Sequence, residues 1–227
     1  MTNPDVVNGL SRSALFGGLP HSELEELALA CGLRHLAKRQ RLFSRGDQGT
    51  GMYVLVEGSL MLSVVSADGV EMALAVLRPP STFGELALID DGPRVATATA
   101  REQTVVVAVP AAPVLRLVAT RPAFALALLR SLGGMVRRID DAVSDLVLLD
   151  LPGRVCRFLL SHADATMPET TSDALVPVVV AITQTELAQL VGGSRQQVNR
   201  ALRDLEDSGA IVRDGSRVTA VRPALLR

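Results

Sequence analysis

The sequence predicts an α+β chain in three parts: an N-terminal body of short strands, one long helix, and a C-terminal winged helix-turn-helix. Three observations carry this prediction. Short apolar runs broken by glycine turns fill residues 41–110. An apolar seam with alternating spacings of three and four runs from Leu129 to Leu146. Two helix-capping signatures flank Val191-Gly192-Gly193, and a hairpin pattern follows them.

At the N-terminal end, residues 11–38 read as helix. Leu24, Leu27 and Ala28 fall on one face, and Pro20 followed by Ser22 offers a start. The period then changes. Met52–Val56 leads through Glu57-Gly58 to Leu60–Val65, and Asp68-Gly69 leads on to Met72–Leu77. Thr97–Ala100 and the continuous run Thr104–Val109 complete the set. Asp-Gly between apolar runs is a strong hairpin signal. Many short strands at such spacing predict a barrel, a sandwich or a jelly roll.

From Arg121-Pro122 to Leu149 the period becomes helical. Leu129, Leu132, Val136, Ile139, Val143 and Leu146 are spaced as a heptad seam, flanked by Arg137, Arg138, Asp140 and Asp141. A strict seam of this kind favours self-association over packing on the chain's own body. Some 29 residues make a rod about 43 Å long. Gly133-Gly134 inside it costs about 2 kcal/mol relative to two alanines. Pro152 and Gly153 break the rod, and Arg154–Ser161 restarts as helix, because Pro is tolerated in a first turn. The expected domains are therefore residues 1–120, 121–149 and 150–227. Ala165–Ala174 reads as polar loop and Val176–Ala181 as a short strand.

Thr183 with Glu186, and Ser194 with Gln197, are capping-box signatures. Two capped helices joined by a short glycine turn describe a helix-turn-helix. Leu187, Leu190 and Val191 point inward from the first helix, and Val198, Leu202 and Leu205 from the second. Arg195, Gln196, Asn199 and Arg200 lie outward near the start of the second helix, where base-reading side chains sit. Arg pairs bidentately with guanine, and Gln or Asn with adenine. Thr183, Ser194, Arg195, Gln196, Asn199 and Arg200 form the candidate DNA-contacting set, facing double-stranded DNA. Ala210–Val221, turning at Asp214-Gly215, reads as the wing.

Bulk properties agree with this reading without proving it. Apolar residues make up 48% of the 227, enough for one core or two. Net charge is −1; residues 151–227 hold nine basic and eight acidic side chains, against 14 and 16 before them. All basic residues but Lys38 are Arg, the fork-shaped partner of phosphate and guanine. No apolar window suits a membrane span and no secretory signal is visible, so a cytoplasmic protein without a membrane partner is expected. Cys31 and Cys156 read as buried free thiols. No catalytic arrangement, Walker loop or metal-ligand spacing appears, so neither an enzyme nor a metal protein is expected.

Residues 83–97 read Phe-Gly-Glu-Leu-Ala-Leu-Ile-Asp-Asp-Gly-Pro-Arg-Val-Ala-Thr. A Phe-Gly-Glu-Leu turn, followed by Pro-Arg-x-Ala-Thr, resembles the phosphate-binding cassette of cyclic-nucleotide-binding domains. With the helix-turn-helix behind it, the chain resembles the Crp/Fnr superfamily across residues 11–221. That resemblance implies an N-terminal β-roll (jelly-roll-like) sensor domain, a long dimerisation helix and a C-terminal winged helix-turn-helix domain. It implies a homodimer on a palindromic operator, with RNA polymerase as a partner. It implies that Glu85 accepts from a ribose hydroxyl, that Arg94 pairs with the cyclic phosphate, and that backbone N–H groups of Gly84, Leu86 and Val95 complete the anion nest. Gly permits close backbone approach, and successive N–H groups make an anion concavity.

Many members carry Ser or Thr after the cassette Arg; here Val95 offers only its N–H. The positions matching the family's adenine-facing pair are Ile139 and Asp140, of which Asp140 can accept from a base amine. Cyclic AMP is the implied effector. Cyclic GMP, cyclic di-GMP and a ligand-independent regulator with a vestigial pocket are the alternatives. The family's recognition helix opens Arg-Glu with a second Arg four residues after the Glu; here Arg195-Gln196 and Arg200 stand at those places. A stand-alone effector-binding module acting on a partner enzyme is the rival class, and the helix-turn-helix argues against it.

Overall fold

The computed structural model describes residues 3–164, 175–177, 182–215 and 217–226. The chain divides into two compact units, Met1–Val136 and Arg137–Arg227. The first begins with helices α1 (Pro4–Arg12) and α2 (His21–Ala30). Strands β1 (Gly32–Leu36), β2 (Arg41–Phe43), β3 (Gly51–Glu57), β4 (Leu60–Val65), β5 (Glu71–Leu77) and β6 (Ser81–Phe83) follow. A single helical turn, α3 (Leu86–Ile89), precedes β7 (Thr97–Ala100) and β8 (Thr104–Pro110), and then α4 (Ala111–Thr120) and α5 (Pro122–Leu148). The strands form two four-stranded antiparallel sheets, ordered β1-β8-β3-β6 and β2-β7-β4-β5, which make up the β-roll.

The unbroken apolar runs at Met52–Val56 and Thr104–Val109 have a simple cause. Strands β3 and β8 are buried on both faces, so alternation is lost. Leu55 and Val106 face the interior of the roll with Leu36, Leu60, Phe83, Ala98 and Ala100. Met52, Val54, Val107 and Val109 face a second cluster formed with Val6, Leu10, Phe16, Leu24, Leu27, Val114, Phe124 and Leu128. Helices α1, α2, α4 and the start of α5 supply that cover.

The single helix expected over residues 11–38 is wrong. Helix α1 stops at Arg12, and buried Ser13 donates its hydroxyl back to the Leu10 carbonyl at 2.8 Å. The Gly17-Gly18 stretch turns, Pro20 starts α2, and Leu24, Leu27 and Ala28 are buried as its helical spacing implies. Gly32–Leu36 is strand because β8 needs a neighbour: Gly32 pairs with Ala108 and Leu36 with Thr104. Tertiary pairing overrides a weak helical pattern. Helix α4 follows β8 directly through Pro110, without the turn cluster that would have announced it.

Helix α5 fully buries only Phe124 and Leu128. Leu129, Val136, Ile139, Val143 and Leu146 are 63, 61, 56, 53 and 48% exposed, and Leu132 is half-buried.

The second unit continues with α6 (Leu151–Asp164), β9 (Val176–Pro177), α7 (Gln184–Val191), α8 (Arg195–Asp207), β10 (Ile211–Asp214) and β11 (Arg217–Val221). Its core joins Val155, Leu159, Leu187, Val191, Val198, Leu202, Ile211, Val218 and Val221. Strands β10 and β11 form the expected hairpin, and β9 pairs with β11. The expected loop 165–174 and the end of the strand expected at 176–181 lie outside the described residues. Among the described residues no single helix is long and apolar enough to cross a membrane.

Candidate functional site

The cassette turn is built around Arg94, which is 3% exposed. Its Nη1 donates to the Gly84 carbonyl at 2.7 Å and its Nη2 to the Gly51 carbonyl at 2.8 Å. The guanidinium lies over the rings of Phe43 and Tyr53, 4.5 and 5.4 Å from their centroids. Phe83 completes this aromatic wall, 5.4 Å from Tyr53. The backbone of Arg94 is held in turn: its N–H donates to Asp47 and its carbonyl accepts from Gly46, each at 2.8 Å. Burying a guanidinium costs several kcal/mol unless its donors are met. One donor is not met, for the Nε of Arg94 is buried without a hydrogen-bond partner.

Gly84 is required where it stands. Its φ is +82°, and a Cβ there would lie 2.7 Å from Arg94 Nη1. Glu85 is buried at 9% exposure, and its carbonyl accepts from Leu88 and Ile89, opening α3. Leu86 is half-buried, while Val95 is 54% exposed. The cassette residues Gly84 and Arg94 thus meet in one place, with Glu85, Leu86 and Val95 directly beside them in the chain. Asp140 lies in the other compact unit, exposed on α5. The orphaned donor of the buried Arg94 guanidinium and the glycine that lets backbone approach fit an anionic group. The aromatic wall of Phe43, Tyr53 and Phe83 escaped sequence reading, because its members lie on three separate strands.

In the second unit both capping boxes form. Glu186 N–H donates to Thr183 Oγ1 at 3.2 Å, and Thr183 N–H to Glu186 Oε2 at 2.7 Å. Gln197 N–H donates to Ser194 Oγ at 3.2 Å, and Ser194 N–H to Gln197 Oε1 at 2.9 Å. Between them Gly192 takes φ +67°, a left-handed cap that suits glycine. Val198, Ala201 and Leu202 face the core. Arg195, Gln196 and Arg200 are exposed, and Asn199 is half-buried at the edge of the same face. Arg203, exposed one turn beyond Asn199 and Arg200, shares that face by the same helical spacing that revealed the others. On the wing, Arg213 donates through Nε and Nη2 to Glu206 Oε2 at 2.8 and 2.7 Å, pinning β10 to α8.

The two thiols are half-buried rather than buried. Burial pushes Cys31 up to about 12. Burial, then the nearby Asp150 carboxylate, also raises Cys156. Among the described residues, no group of three or more His, Cys, Asp or Glu side chains is arranged to hold a metal.

A β-roll with a cassette turn, joined through a long helix to a winged helix-turn-helix, defines a class: effector-binding transcription regulators. Comparison with known proteins agrees. Residues 33–121 match the model of the cyclic nucleotide-binding domain, and residues 153–227 that of the Crp-like helix-turn-helix domain. The chain is 32% identical over 209 residues to the CRP-like cAMP-activated global transcriptional regulator of Mycobacterium tuberculosis, covering 92% of each chain. It is 34% identical over 215 residues to the cyclic AMP receptor protein of Thermus thermophilus, covering 94% of each. Its fold is similar to that of FixK2 from Bradyrhizobium japonicum, with a TM-score of 0.73 at 19% identity over 86% of this chain and 94% of that one. The chain belongs to the Crp/Fnr superfamily of transcription regulators.

Proposed function

We propose that this chain is a homodimeric, sequence-specific DNA-binding regulator whose first unit binds a cyclic nucleotide, cyclic AMP before others. One observation carries the reading: Arg94, 3% exposed, keeps a buried Nε without an acceptor beside the glycine turn at Gly84. A cyclic phosphate supplies that acceptor and the opposing charge. Glu85 accepts from the ribose hydroxyl, the N–H groups of Gly84, Leu86 and Val95 face the phosphate, and Asp140 accepts from the base amine. The names of the two relatives above, both tied to cyclic AMP, support the choice of effector.

Two chains pair through the bare seam Leu129, Leu132, Val136, Ile139, Val143 and Leu146. The pair sets two α8 helices about 34 Å apart on a palindrome. Arg195 and Arg200 seek guanines and Gln196 and Asn199 adenines, while the helix starts at Thr183 and Ser194 face phosphate. Such a regulator works in the cytoplasm, with RNA polymerase as its partner. Functionally the chain is divided into the sensor at 1–120, the dimer helix at 121–149 and the DNA-binding domain at 150–227.

A second reading, a ligand-independent regulator, has an observation of its own: both terminal nitrogens of Arg94 already donate to backbone carbonyls. Calorimetric titration with cyclic AMP, cyclic GMP and cyclic di-GMP, run beside a DNA gel shift, separates the two. Micromolar cyclic AMP binding that tightens DNA binding supports the first. DNA binding with no heat from any nucleotide at millimolar concentration supports the second.

A further inference from the structure

One side chain joins the end of the long helix to the turn before the recognition helix. Arg154, in the first turn of α6, donates from Nη1 to the Leu149 carbonyl at 2.8 Å. Its Nε donates to the Val191 carbonyl at 2.6 Å and its Nη2 to the Gly192 carbonyl at 3.3 Å. Leu149 follows the last residue of α5, and Val191 and Gly192 end α7. Helix C-termini leave carbonyls unpaired and carry partial negative charge. A planar guanidinium with its donors in a fixed fork answers both ends at once.

The turn is packed on one side. A Cβ on Gly193 would fall 2.5 Å from Leu151 Cδ1, and one on Gly192 would lie 3.3 Å from Leu146 Cδ2. The turn therefore packs tightly on Leu151 of α6 and lies near Leu146 of α5, while Gly192 itself is exposed. Asp145 and Arg157, 3.5 Å apart, tie the same two helices. Ser194, which caps α8, stands two residues past the clamped Gly192 carbonyl.

We propose that Arg154 is the positioning residue that passes the state of the long helix to the recognition helix. If α5 ends differently, the Leu149 carbonyl swings, and the rigid fork cannot keep its hold on Val191 and Gly192. The start of α8 then shifts. This inference rests on the effector and DNA reading proposed above.

The test compares full-length wild type, Arg154→Ala and Arg154→Lys in gel shifts on a wild-type-selected operator, with and without cyclic AMP. The readout is the ratio of the two DNA dissociation constants. Arg154→Ala lowers that ratio about tenfold, within the usual span of coupling between sites. Cyclic AMP affinity by calorimetry stays within about twofold of wild type and the particle mass stays that of wild type, because Arg154 belongs to neither the cassette nor the seam. Arg154→Lys, which keeps the charge and loses the fork, falls between. A merely structural role weakens DNA binding equally in both states and leaves the ratio intact, which overturns the proposal. Should Arg154→Ala fail to fold, Arg154→Lys decides alone: a wild-type ratio overturns it and a reduced ratio supports it. A wild type indifferent to cyclic AMP overturns the parent reading and this proposal together. A responsive wild type with an unchanged ratio in the variants overturns the proposal alone.

Discussion

Replacing Val136 and Val143 by Glu should split the proposed dimer without unfolding the chain. In the single chain these side chains are 61 and 53% exposed, so little of either packs on its own protomer. Substitutions at such open positions usually change stability by less than about 0.5 kcal/mol. Pairing is where they matter. Full burial of a valine is worth about 1.5–3 kcal/mol, so covering the exposed half contributes about 1 kcal/mol each. Four valines across a two-fold seam give about 4 kcal/mol, or about a thousandfold in the dimer dissociation constant. Four carboxylates facing one another in the seam add repulsion and desolvation on top. Sedimentation or light scattering at micromolar protein should report a monomer, melting should stay near that of diluted wild type, and palindrome binding should fall to the non-specific level. A double variant that remains dimeric shows that the seam is not the interface. One that unfolds shows that the exposed face is packed after all.

Four other outcomes follow from sites already described. Arg94→Ala should abolish cyclic AMP binding in calorimetry; undiminished heat would mean that the anion sits elsewhere. Gly84→Ala should weaken it too, because φ +82° and a Cβ 2.7 Å from Arg94 Nη1 force the turn apart; wild-type affinity would exclude the turn from the site. Gln196→Glu should move one position of the half-site, in selection from randomised DNA, from A·T or mixed to C·G, with about 1–3 kcal/mol of discrimination; identical logos would remove Gln196 from base contact. With Cys31 raised to about 12, the folded thiol stays protonated at pH 8. Its alkylation by iodoacetamide should then be far slower than in urea, and equal rates would refute the burial.

What could be read from the residues depended on how local the cause was. The helix-turn-helix was legible because caps, glycine turn and outward Arg195, Gln196 and Arg200 are all consequences of near neighbours. The strands from Met52 to Val109 were legible through their turns, except the short Ser81–Phe83. Long-range causes were not. Gly32–Leu36 is strand because of a partner some seventy positions away, Leu36 opposite Thr104, and nothing within the segment announces it. The cassette motif named Arg94, yet its seat on Phe43 and Tyr53 needs two strands brought together. Likewise Arg154 looks like any surface arginine until Leu149, Val191 and Gly192 converge on it.

Strands β3 and β8 each serve two cores, and this limits how the first unit can be trimmed or inherited. The cyclic nucleotide-binding match begins at residue 33, but Met52, Val54, Val107 and Val109 lean on Val6, Leu10, Phe16, Leu24 and Leu27, all upstream of it. A fragment cut at that boundary would bare the part of the sheet that α1 and α2 cover, a hydrocarbon surface on which proteins clump. The leading thirty residues are therefore not an appendage. In recombination between relatives they must travel with the roll they cover, whichever reading head is attached downstream.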